Sequence, residues 1–203
     1  MSTDDPIRSL EGSLDRVFAR PARMGTFGMW LFLAALAMLF AASMIAYIAI
    51  RTGPQGATRG AIHLPHALWL STALILLSSV TMHRAVHAIR LERHRPFRIY
   101  LVTTLALAAG FVAVQTPALI SLLKQHQAVE GQKTPLYGLI FFLVLLHALH
   151  VLGGIIGLIR VNLGAAHHRY DHEHCYGVRH IAMYWHFLDG VWLVMFLILH
   201  LTA

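Results

Sequence analysis

Tyr184-Trp185-His186-Phe187-Leu188-Asp189-Gly190-Val191-Trp192 decides how this chain is read. These residues lie inside an apolar run from about Val178 to Leu201, yet they include an Asp, a His and two Trp. An apolar run of that length predicts a membrane-crossing helix. A carboxylate at the centre of such a helix costs about 3 kcal/mol on insertion scales. Lipid offers it no hydrogen bond, so Asp189 has to face protein. His186 shares its helical face at i,i+3 and is the nearest candidate partner. The other helices must then supply a polar seam to meet this face.

Composition agrees with a membrane protein. Of 203 residues, 57% are apolar and only 12% charged, about half the charge share of soluble domains. Mean hydropathy is +0.62. Apolar periodicity and length predict an all-α integral membrane bundle of five transmembrane helices. They are expected at about residues 26–50, 66–89, 97–123, 135–159 and 178–201. Arg51 and Thr52-Gly53-Pro54 close the first, Pro65 precedes the second, and a basic hairpin with Pro96 leads into the third. Pro117 is expected to kink the third helix or end it early.

Residues 1–24 form a polar tail, expected to be cytoplasmic. Leu10, Leu14, Val17 and Phe18 are spaced like one face of a short amphipathic surface helix; a loosely ordered tail is the alternative. No cleavable signal peptide is expected, because no short apolar core precedes the first long span. Cys175 is the only cysteine, which excludes an internal disulfide.

The formal charge is +7. Nucleic-acid binding is not expected, because the Arg residues cluster at helix ends, where they act as topology signals and headgroup contacts. One side collects Arg8, Arg16, Arg20, Arg23, Arg84, Arg90, Arg93, Arg95, Arg98, Arg160, Arg169 and Arg179. The other holds Arg51, Arg59, Lys124 and Lys133. The imbalance predicts an N-terminus inside and a C-terminus outside.

The interior polar residues suggest two kinds of role. On the fourth helix His147 and His150 share a face, followed by Gly153-Gly154. They could ligate a haem or metal, relay protons, or simply bond neighbouring helices that the glycines let approach. A shared haem with His186 needs equal depths, but counting from the inner ends separates His147 and His186 by ~7 Å. Ser78, Ser79 and Thr81 on the second helix are natural interhelical donors. His83 and His87 fall near the inner interface beside Arg, where a surface or headgroup role is expected. Gln115 is the polar residue of the third helix. The loop from His167 to Cys175 is rich in His and could bind a transition metal, but it lacks the tight pairing of a zinc site.

Four stretches resemble one family. Gly28-Met29-Trp30-Leu31-Phe32-Leu33, with Met38-Leu39-Phe40 and Ala46-Tyr47, is similar to its opening helix. Leu64-Pro65-His66-Ala67-Leu68-Trp69, with Thr72 and Leu77-Ser78-Ser79-Val80-Thr81, is similar to the next. Tyr137-Gly138, Phe141-Phe142 and His147-Ala148-Leu149-His150-Val151-Leu152-Gly153-Gly154 follow in order, and Tyr184-Trp185-His186-Phe187-Leu188-Asp189 with Val191-Trp192 closes the match. Together with Gln115, the chain resembles subunit III of the haem-copper oxidases over about residues 25–200. It looks most like the short five-helix bacterial form.

That resemblance implies an accessory, non-redox subunit of a terminal oxidase in aerobic respiration, in the bacterial inner membrane. No catalytic, cofactor-binding or metal-ligating residue is then expected in this chain. Haem and copper belong to the partner, catalytic subunit I. The chain is implied to hold phospholipid between its helices and to support assembly and proton uptake. His147, His150, Trp185, His186, Asp189, Trp69 and Gln115 become structural polar or lipid contacts. Two positions depart from the family. Ala35-Leu36 stand where a small residue and an acid are usual, and Arg179 stands where members carry Glu. The alternatives are a subunit associated with nitric oxide reductase, a small membrane b-type cytochrome ligated by His147, His150 and His186, and a metal transporter using the His-rich loop.

Overall fold

A computed structural model describes residues 6–53, 67–128, 135–166 and 176–202. Their regular structure is entirely helical: α1 (Pro6–Thr52), α2 (Ala67–Arg90), α3 (His94–Ala128), α4 (Pro135–Ala166) and α5 (Tyr176–Thr202). Each contains a stretch long and apolar enough to cross a bilayer, from 23 residues in α2 to 29 in α4. At ~1.5 Å per residue, even the shortest spans a hydrocarbon layer about 30 Å thick.

The helices outrun the apolar windows. α1 starts at Pro6, where the sequence suggests a span from about Thr26, and α4 continues to Ala166, beyond Ile159. Backbone hydrogen bonding does not stop where hydrophobicity does, so a helix carries on through the headgroup layer. α3 likewise runs through Pro117 to Ala128 and does not end at the proline. Proline removes one N–H and disturbs the turn before it, a defect that membrane helices tolerate.

The chain divides into two compact units, Met1–Leu36 and Ala37–Ala203. The described part of the first is the helical segment from Pro6 to Leu36. The second holds the rest of α1 and all of α2 to α5. Within it, α2 lies beside α3 and α5, and α4 lies beside the same two, so four helices close a ring.

A tight turn joins α2 to α3. The Glu92 N–H donates to the Ile89 carbonyl (3.1 Å) and the Arg93 N–H to that of Ala88 (3.0 Å). Glu92 takes φ 55°, the left-handed position that usually falls to glycine at a helix end. A β-branched side chain is strained there. Glu92→Val should therefore destabilise the purified protein in detergent by about 1–2 kcal/mol, while Glu92→Gly should hold its own. Equal unfolding midpoints for the two variants would show that the turn does not keep this conformation.

Towards that turn the ring is filled by Met82, Ala85 and Ile89 of α2, Phe97 and Leu101 of α3, Leu158 of α4 and Trp185 of α5. α4 presents glycines to α5. A Cβ on Gly154 would lie 3.0 Å from a Trp185 ring carbon and 3.2 Å from Leu188 Cδ1. Without a hydrophobic drive between helices in lipid, such close backbone approach supplies the packing energy. Outward the helices expose large apolar side chains, among them Leu70, Ile99, Leu149, Ile156 and Leu197. Such a surface suits lipid or neighbouring subunits.

Candidate functional site

The polar seam runs between α2 and α5. Trp185 Nε1–H donates to Ser78 Oγ at 2.9 Å, and Trp192 Nε1–H donates to Thr72 Oγ1 at 3.1 Å. The register is antiparallel: seven residues up α5 correspond to six down α2, about 10 Å in both cases. Both tryptophans are buried, and a buried indole N–H in the bilayer needs an acceptor. Thr72 can accept because its own hydroxyl proton goes to the Leu68 carbonyl at 2.8 Å.

One turn above Trp185 the seam reaches Asp189. Its side chain is buried, and neither carboxyl oxygen has a hydrogen-bond partner among the described residues. His186 Nδ1 lies 4.0 Å from Asp189 Oδ2, beyond hydrogen-bond length. It sits instead 2.7 Å from Ser79 Oγ. The pair anticipated from i,i+3 spacing thus shares a face without a direct bond, because the serine of α2 is the closer partner. The ring of His83 stands 6.4 Å from that of His186, between centroids.

On α4 the two histidines have different surroundings. His147 is buried, stacks on Trp192 with centroids 5.5 Å apart, and meets Phe40 edge-on at 6.2 Å. Neither of its ring nitrogens has a partner among the described residues. His150 Nδ1 lies 2.6 Å from the Leu146 carbonyl, and the His150 carbonyl accepts the Tyr184 hydroxyl at 2.9 Å. His147 is level with Trp192, six residues and ~9 Å along α5 from His186. The three histidines therefore do not converge. Among the described residues, no group of three or more His, Cys, Asp or Glu is placed to hold a metal.

Gln115 is half-buried and shares with His147 a cavity of 210 Å³ between α3 and α4. Trp69 is exposed and contacts Phe196 and His200 edge-on, at 5.1 and 5.5 Å. The His-rich loop 167–175 lies outside the described residues.

Sequence reasoning did not single out Thr104 or Asn162. Thr81 and Thr104 hydroxyls meet at 2.8 Å and join α2 to α3. Asn162 Nδ2 donates to the Leu158 carbonyl at 2.9 Å and reaches the Leu101 carbonyl of α3 at 3.5 Å. The near-equal spacing of hydroxyls on α2 and tryptophans on α5 was the available signal for the seam. Chemically, the seam ties helices together.

Residues 9–203 match the profile of the family described as cytochrome c oxidase subunit III. The chain belongs to that family. It is 28% identical to quinol oxidase subunit 3 of Bacillus spizizenii, over 86% of this chain and 85% of the relative. It is 27% identical to a probable quinol oxidase subunit 3 of Staphylococcus saprophyticus, over 93% and 89%. Cytochrome c oxidase subunit 3 of a Synechocystis species is also 27% identical, over 86% and 74%. The chain is accordingly a multi-pass membrane protein and the accessory subunit III of a haem-copper oxidase. A small cytochrome, a nitric oxide reductase subunit and a metal transporter gain no support from these matches.

Proposed function

We propose that this subunit III packs against the catalytic subunit I, which carries the haems and copper, and stabilises it within the membrane. The observation that supports this is the use of the interior polar groups. The Trp185–Ser78, Trp192–Thr72, His186–Ser79 and Tyr184–His150 contacts all tie this chain's own helices to one another. The apolar outer faces are left for lipid and for the catalytic subunit. On this reading the seven seam residues His147, His150, Trp185, His186, Asp189, Trp69 and Gln115 are structural or lipid contacts. Phospholipid fills gaps between helices, and the subunit sustains proton uptake and turnover by its partner. Affinity purification through this chain in mild detergent should recover a haem-bearing partner. Deleting the gene should leave haem per catalytic subunit unchanged while turnover decays sooner. A stoichiometric Soret band on the isolated chain would overturn the reading.

The same proposal places the chain in the bacterial inner membrane with its N-terminus and the 2–3 and 4–5 connections inside. The charge asymmetry of the Arg residues supports it. A reporter fused after Ala203 should then be active only outside the cytoplasm. Cytoplasmic activity would reverse the orientation.

A further inference from the structure

A crevice of 410 Å³ opens between the last turns of α2 and the first turns of α5. Its size falls within the about 300–1,000 Å³ usual for small-ligand sites. His83, His87 and Arg90 line it from α2, spaced i, i+4, i+7, so they form one helical face. Arg179 and His186 line it from α5, again seven residues apart on one face. Two basic faces therefore look at each other across an open gap. Glu92 and Asp189, the carboxylates of the described residues from α2 to α5, do not line it. Among the described residues no ion pair engages Arg90 or Arg179. Two guanidinium groups lining one crevice without a lining carboxylate suit an anion.

Position and lining indicate which anion. Arg90 is the last residue of the α2 membrane stretch and Arg179 the fourth of the α5 stretch. The crevice thus opens where the bilayer meets water, on the Arg-rich side of the chain. Its remaining lining is apolar: Val86, Ala182 and Met183. A site with two guanidinium groups at its mouth and apolar side chains beside them suits a charged head attached to a hydrocarbon tail. Guanidinium forks match phosphate oxygens, and basic pockets between membrane helices on the cytoplasmic side take acidic lipid heads.

We propose that this crevice binds a phosphate anion supplied by an anionic phospholipid. Arg90 and Arg179 hold the phosphate, and Val86, Ala182 and Met183 contact the start of the acyl chains. This deepens the lipid-binding part of the reading above and leaves the oxidase-subunit assignment independent of it. The test uses the intact oxidase complex, stripped of loosely held lipid and titrated with phosphatidylglycerol, with phosphatidylcholine, and with inorganic phosphate. Retained lipid is counted by native mass spectrometry. Arg90→Gln/Arg179→Gln should bind phosphatidylglycerol about 25-fold more weakly, about a fivefold loss for each charge removed. Arg98→Gln, which lies outside the crevice, should bind it like the parent. Phosphatidylcholine binding should be equal in all three. Co-purification of the haem-bearing subunit reads the oxidase assignment separately and should be unchanged. Unaltered phosphatidylglycerol affinity in the double variant overturns the proposal. So does competition by inorganic phosphate as effective as that of the lipid, which would assign a free-anion site. Loss of the catalytic subunit at unaltered lipid affinity would assign the Arg pair to an acidic protein segment instead.

Discussion

Trp185→Ala should destabilise the purified subunit by about 3–5 kcal/mol, the range for deleting a buried aromatic side chain. Trp185 is 1% exposed and belongs to three helices at once. It originates on α5, donates its indole N–H to Ser78 on α2, and lies against Gly154 of α4. Alanine leaves a cavity where all three meet and removes the contact that keeps α2 and α4 in register with α5. Trp185→Phe separates the two losses. It keeps most of the ring packing but drops the interhelical hydrogen bond, which averages about 0.6 kcal/mol in membrane proteins. Gly154→Leu attacks the contact from the other side. Its Cβ alone would crowd the fixed indole, and overpacking of this kind costs about 1–3 kcal/mol. The measurement is equilibrium unfolding in mixed micelles, followed by Trp fluorescence for Gly154→Leu and by helix content for the tryptophan variants. If Trp185→Ala lost less than 1 kcal/mol, the three-helix contact would not be what holds the ring together.

The features that set this site were legible to different degrees. Five spans could be read because lipid demands long uncharged runs, and nothing else produces five of them. The polar seam could be located on α5, since a mid-span Asp beside His and Trp cannot face lipid. Partners could not be read. Spacing along one helix puts His186 next to Asp189, but only the packing of α2 brings Ser79 within 2.7 Å of His186. Residue counting separated His147 from His186 in depth by ~7 Å, and the structure places His147 beside Trp192. Depth follows from the helical rise alone, whereas a hydrogen bond depends on rotation of each helix about its axis. Helix ends were hidden for a related reason: hydropathy marks the bilayer boundary and hydrogen bonding continues past it.

The basic crevice was visible only in halves. The run from His83 to Arg90 and the pair Arg179 and His186 stand out as residue types near helix ends. Nothing in their spacing says that α2 and α5 are neighbours. Chain order suggests pairing α2 with α3 and α4 with α5, which join through short connections. The α2–α5 contact is non-local, and it carries both the seam and the crevice. Helix adjacency is therefore what brings the two halves of the crevice together.

Asp189→Asn should stabilise the subunit by about 1–3 kcal/mol, the mutational scale for a buried polar group without a compensating bond. Asp189 is 3% exposed, its two carboxyl oxygens lack hydrogen-bond partners among the described residues, and His186 stays 4.0 Å away. An amide of the same shape carries no charge and is cheaper to bury. Asp189→Leu should not orphan His186, because that ring is already bonded to Ser79. Its extra bulk offsets the gain from losing the carboxyl, so near-parent stability is expected. Asp189→Asn should accordingly raise the unfolding midpoint of the isolated subunit. Complex yield in mild detergent and haem per catalytic subunit should match the parent. A destabilised Asn variant would mean that the carboxyl has a partner within this subunit. Intact assembly with halved haem would instead make this chain a contributor to haem binding, against the accessory reading.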